Sequence, residues 1–118
     1  MKSPRILIVE DEAMIALVLE ECLTDAGFTI AGVAGRLDAA LASIAGGAID
    51  AVILDANLAG VSAGPAALAL TARGIPFVVV SGYSPQQQAR EFAGAPCLQK
   101  PCRPDALIEV LRGLLPPG

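Results

Sequence analysis

A chain of 118 residues is long enough for one hydrophobic core and too short for two, so residues 1–118 are expected to form a single domain. Apolar residues make up 54% of it and aromatics only 3%, which leaves Ala, Val, Ile and Leu to build the core and favours helices packed on buried parallel strands. A net charge of −4 counts against a nucleic-acid-binding surface, which needs a clustered basic face, and points instead to a protein partner or a cation.

Met1-Lys2-Ser3-Pro4 leads straight into a strand-like segment, with no apolar leader before it, and no uninterrupted apolar run of about 18 residues follows. The protein is therefore expected to be soluble, unexported and cytoplasmic. Ile6-Leu7-Ile8-Val9 is wholly apolar and, Leu7 apart, β-branched, the pattern of a strand buried on both faces. Ile15, Val18, Leu19, Cys22 and Leu23 then fall on one helical face opposite Glu20, Glu21 and Asp25, and Gly27 stops the helix. A second apolar strand run spans Ile30 to Val33. Leu37, Leu41 and Ile44 repeat at helical intervals up to Gly46-Gly47. Ala51 to Leu54 reads as the third strand, and Pro65 to Arg73 as an Ala/Leu-rich helix closed by Gly74. Phe77 to Val80 is the fourth strand, Pro85 to Phe92 a short Gln-rich fourth helix, and Cys97-Leu98 a reduced fifth strand. The last helix begins near Pro104 and Asp105 and runs through Leu107, Ile108 and Leu111 to Leu115. This alternation predicts five β-α units around a parallel sheet with right-handed crossovers.

Polar residues cluster just past the carboxyl ends of these strands: Glu10 and Asp11, then Asp55, Ser81 and Lys100. That edge is where open α/β sheets bind ligands. With a strand order of 2-1-3-4-5, all of them converge on one crevice. Carboxylates gathered there repel one another unless a cation neutralises them, and an all-oxygen donor set without His suits Mg²⁺ rather than zinc or copper. Asp55 would then be free to act as a carboxylate nucleophile towards phosphorus, with Ser81 and Lys100 as donors to phosphoryl oxygens. Plainer roles stand beside these: Asp11 as a helix cap, Ser81 as a turn residue before Gly82, and Asp55 and Lys100 as solvated charges. Cys22, Cys97 and Cys102 lack paired metal-site spacing and read as reduced packing residues.

The segments Ile6-Leu7-Ile8-Val9-Glu10-Asp11-Glu12, Ile53-Leu54-Asp55, Val80-Ser81-Gly82 and Lys100-Pro101 together resemble the receiver domain of two-component response regulators, from Arg5 to Leu115. The resemblance implies a flavodoxin-like (βα)5 doubly wound fold with Asp55 as the phosphorylated residue. It also implies Mg²⁺ held by Glu10, Asp11, Asp55 and the backbone carbonyl of Asn57, with Ser81 and Lys100 contacting the phosphoryl group. Such a domain takes its phosphoryl group from a histidine kinase or a histidine phosphotransfer protein. It loses the group slowly, and signals to a downstream protein through the face of the fourth helix, fifth strand and fifth helix, as a switch rather than a turnover enzyme.

Three positions depart from the family pattern. Leu58-Ala59-Gly60 replaces the usual Met-Pro after the phosphoacceptor, Cys97 stands where a switching aromatic is expected, and Tyr83 lies two residues past Ser81, where its ring would either shield the site from water or stand in for the missing aromatic switch. The Ser81-Gly82-Tyr83 stretch, and the Asn-Leu pair after Asp55, look similar to stand-alone receivers, and a stand-alone chain is expected. Rival readings are a non-phosphorylated pseudo-receiver scaffold, a flavodoxin-like cofactor binder and a haloacid-dehalogenase-type phosphatase. The acidic Glu10-Asp11-Glu12 loop disfavours a bound FMN phosphate, and Asn57 stands where the phosphatase wants a second Asp.

Overall fold

Successive side chains of a strand point to opposite faces, so an unbroken apolar run needs a cover on both sides. In the computed structural model, which describes residues 3–82 and 90–116, that cover is present. Leu7 and Val9 of β1 (Arg5–Val9), Val52 and Leu54 of β3 (Ala51–Asp55), and Phe77 and Val79 of β6 (Phe77–Ser81) face one core. Ile6, Ile8, Ala51, Ile53, Val78 and Val80 face the other. The first core is closed by Ala40 and Ile44 of α2 (Leu37–Gly46), by Ala66, Ala67 and Leu70 of α3 (Gly64–Arg73), and by Phe92. The second is closed by Ala16, Leu19 and Leu23 of α1 (Ala13–Asp25) and by Leu107 and Leu111 of α4 (Pro104–Leu114).

With β2 (Thr29–Ala34) and β7 (Cys97–Gln99) added, the strands form a 5-stranded parallel sheet in the order β2-β1-β3-β6-β7. This is the expected order 2-1-3-4-5 and the flavodoxin-like α/β fold. Helix α3 carries Pro65 in its first turn, where the missing N–H costs nothing, and closes on Gly74 in the left-handed region. Most of the expected helix from Pro85 to Phe92 lies outside the described residues; its described end, Arg90–Phe92, is a 3-10 turn that seats Phe92 in the first core.

Two features differ from the sequence reading. Between β3 and α3 the chain makes a small antiparallel hairpin, β4 (Asn57–Leu58) and β5 (Val61–Ser62), two strands that the sequence reading did not include. Along α1, Ile15 and Val18 belong to the apolar face by spacing yet are 36% and 46% exposed. The sheet takes the stripe through Ala16, Leu19 and Leu23, and leaves Ile15 and Val18 on the flank that faces the β7–α4 connection. Among the described residues no helix is long and apolar enough to cross a membrane.

Candidate functional site

Strand pairing carries the polar residues to one edge. The Glu10 amide donates to the Ala34 carbonyl at 3.0 Å, the Ala56 amide to Val80 at 2.9 Å and the Lys100 amide to Ser81 at 2.7 Å, each extending a ladder just past its last strand residue. Glu10, Asp55 and Ser81 are buried, at 5%, 4% and 2% exposure, whereas Asp11 is exposed. The Lys100 ammonium donates to Asp55 Oδ2 at 2.8 Å and lies 3.6 Å from Glu10 Oε1. The other Asp55 oxygen, Oδ1, accepts the Asn57 amide at 3.2 Å, and Glu10 Oε2 accepts the Glu12 amide at 3.1 Å.

Glu10, Asp11 and Asp55 each offer one carboxylate oxygen, and these oxygens lie within 4.8 Å of one another. Three hard oxygen donors at that spacing, with no nitrogen or sulfur among them, fit a divalent cation of the Mg²⁺ type. A cavity of about 470 Å³ opens above them, walled by Asp11, Asp55, Asn57, Ala59, Gly82 and Lys100. The capping role weighed for Asp11 is not the one the structure gives it, because α1 has Glu12 at its N-cap and no side-chain cap bond. Tyr83 lies outside the described residues. Cys97 sits in β7, packed against the first core with its thiol pushed up by burial, so it is a packing residue and no ready thiolate.

Charge at this edge is unbalanced. Burial pushes the Glu10 carboxyl from 4.5 up to about 7; the Glu12 amide and Lys100 oppose the rise, and Asp55 adds to it. Burial pulls the Lys100 ammonium down, but its hydrogen bond to Asp55 and the charges of Asp55, Glu10 and Glu12 outweigh this and hold it above its ordinary value. For Glu10 the folded value exceeds the unfolded one, so between the two the native state binds more protons and stability falls as pH rises. Metal-free protein is expected to lose about 3 kcal/mol as pH climbs from about 4.5 to about 7, and to level off above that. Urea unfolding in EDTA at steps between about pH 5 and pH 8 checks this. Glu10→Gln should flatten the fall, and a level wild-type profile would show that Glu10 carries no such penalty.

Sequence reasoning singled out Leu58-Ala59-Gly60 as a departure but missed the hairpin turn made by Ala59 and Gly60, although Asn-Leu-Ala-Gly did hold a turn signal in its last residue. It also missed a second cavity of about 640 Å³ beside the site, between α1 and the start of α4. Met14, Ile15, Val18, Pro101 and Pro104 wall this cavity, which reaches Glu10 and Asp55 of the acidic cluster and their partner Lys100.

Comparison with known proteins bears on the fold and the family. Residues 6–112 match the family described as response regulator receiver domain. The solution structure of SdrG from Sphingomonas melonis Fr1 is 42% identical, with a TM-score of 0.81 over 97% of this chain and 98% of that one. SdrG from Pseudomonas melonis Fr1, solved in a BeF3-activated conformation, is 42% identical, with a TM-score of 0.78 over 98% of this chain and 100% of that one. A response regulator receiver protein from Sinorhizobium medicae WSM419 is 28% identical, with a TM-score of 0.84 over 96% of this chain and 94% of that one. Among curated proteins no relative matches. With the family match running from the first strand into the last helix, the chain belongs to the response regulator receiver domains.

Proposed function

We propose that the chain is a phosphoacceptor switch in two-component signalling, acting in the cytoplasm, in which Asp55 accepts a phosphoryl group from a histidine kinase or a histidine phosphotransfer protein. The observation that carries this reading is the Lys100 ammonium 2.8 Å from the buried Asp55 carboxylate, with Glu10 and Asp11 beside it at the strand edge. A pairing of that kind suits phosphoryl acceptance: the carboxylate is the nucleophile, and the ammonium is placed to follow charge onto a phosphoryl oxygen.

An Asp55 oxygen attacks the phosphorus of a phosphohistidine, an O–P bond forms as the N–P bond breaks, and the freed electron pair stays on the imidazole nitrogen, which takes a proton from solvent. Lys100 gives up part of its bond to Asp55 and donates to the incoming phosphoryl group, and Ser81, at the end of β6, offers its hydroxyl to another phosphoryl oxygen. Glu10, Asp11, Asp55 and the Asn57 carbonyl would hold Mg²⁺, which when bound neutralises oxygen charge during transfer. Water attack on phosphorus later releases inorganic phosphate and restores the carboxylate. Tyr83 is proposed to slow that step by shielding. The relative solved in a BeF3-activated conformation supports the reading, because a fluoroberyllate on a carboxylate has the shape and charge of a phosphoryl group.

A protein donor docked over Asp55 would also cover the neighbouring apolar surface. Met14 is 74% exposed there and Leu17 50%, which favours a docking helix with apolar side chains. Output would follow from the phosphoryl group biasing the face formed by β7, α4 and the segment before them, which a partner reads by differential affinity. With Cys97 in the aromatic's place, that bias has to run through other side chains. The direct test is intact-mass measurement after incubation with phosphoramidate and Mg²⁺. One added phosphate, absent when EDTA replaces Mg²⁺, is the expected result; no adduct under either condition would favour the pseudo-receiver scaffold.

A further inference from the structure

The hairpin between β3 and α3 bears directly on the acceptor carboxylate. Its two-residue turn, Ala59-Gly60, has φ values of 53° and 88°, the pair of positive angles that a type I′ turn requires. Glycine adopts such angles freely, whereas alanine at position 59 does so against its own Cβ. A side chain offsets that cost: Asn57 Oδ1 accepts the Gly60 amide at 2.8 Å. The Asn57 amide in turn donates to Asp55 Oδ1 at 3.2 Å. Below them Leu58 is buried, and the Ala63 amide closes the base on the Ala56 carbonyl at 2.9 Å. The turn, the Asn57 backbone and the Asp55 carboxylate are thus joined in one short chain of hydrogen bonds.

We propose that Asn57 is a positioning residue for phosphoryl acceptance, its side-chain oxygen locking the hairpin turn so that its own amide stays on Asp55 Oδ1. Lys100 holds the opposite oxygen, Oδ2, at 2.8 Å, so the plane of the carboxylate is set from both sides. In-line attack on phosphorus needs that plane, and a nucleophile left free to rotate loses rate steeply. The inference rests on Asp55 being the phosphoacceptor. It concerns the Asn57 side chain and is separate from the role proposed for its backbone carbonyl.

Asn57→Ala keeps the backbone carbonyl and removes the lock. Hydrogen exchange at the amides of residues 57 and 60 is expected to speed up by about tenfold, and uptake of phosphate from phosphoramidate at saturating Mg²⁺ to slow by about tenfold. Adding Ala59→Gly to that variant relieves the positive-φ cost by another route, and should recover most of both losses. A side chain that worked on the phosphoryl group or the cation itself would not be rescued from two residues away. Exchange at the two amides unchanged in Asn57→Ala, a wild-type uptake rate in that variant, or slowed uptake with no rescue would each overturn the proposal. A wild-type chain that takes up no phosphate overturns the phosphoacceptor reading instead, and the exchange measurement then still decides whether Asn57 locks the turn.

Discussion

Asp55→Asn is expected to take up no phosphate from phosphoramidate and Mg²⁺, with the fold intact. The reason is chemical. An amide oxygen is a poor nucleophile towards phosphorus, while the replacement keeps the shape of the side chain and an oxygen that can accept the Lys100 ammonium, now 2.8 Å from Asp55 Oδ2. Loss should therefore be complete in the mass spectrum while circular dichroism and the urea midpoint stay near those of the wild type. Glu10 and Asp11 remain in this variant, and Asp11 is the better exposed of the two. A phosphate that still appeared on Asp55→Asn would have to sit on one of these neighbours, and the assignment of the nucleophile would fail.

Lys100→Met should have two effects that can be read separately. Removing a donor aimed at developing charge costs about 10²- to 10³-fold in rate where it has been measured at comparable sites, and a fall of that order in phosphate uptake is expected here. The second effect needs no donor at all. Glu10 and Asp55 are 5% and 4% exposed, and among the described residues Lys100 is the cation within 4 Å of both, so Met at this position leaves two buried carboxylates facing each other. Breaking such a group by deleting one partner is costly. Because the Lys100 side chain is 29% exposed, water screens part of the cost, and about 2 kcal/mol is the expected loss of stability for the metal-free protein near pH 8. Saturating Mg²⁺ should restore most of that stability without restoring the rate. Equal stability of wild type and Lys100→Met in EDTA would show that the ammonium does not balance the carboxylates.

The family's fold was legible because its strands obey a local rule. Ile6 to Val9, Ala51 to Leu54 and Phe77 to Val80 are apolar at every position, and a pleated strand with apolar side chains on both faces is stable only between two layers of helix. The polar residues that follow those runs were legible for the same reason, since the chain turns where the apolar pattern stops. Glu10, Asp11, Asp55, Ser81 and Lys100 could accordingly be named in sequence and assigned to one edge.

What pattern alone left open were the quantities set by residues far apart in the chain. The pairing of Lys100 with Asp55, across 45 positions, exists because β6 lies between β3 and β7. That same convergence buries Glu10 next to a second carboxylate and moves its titration to about 7. Exposure of Ile15 and Val18 was likewise decided by which stripe of α1 the sheet accepts, a matter of helix rotation that apolar spacing of three and four residues does not specify. The hairpin needed structure too: Ala59 at a φ of 53° runs against the ordinary preference of alanine and holds only because Asn57 and the buried Leu58 secure the turn. Sequence by itself determined the layers and the edge where chemistry gathers, because both follow from periodicity along the chain. Tertiary structure alone decided the charge balance and the orientation of the Asp55 carboxylate, because both depend on distances between strands that share no local sequence.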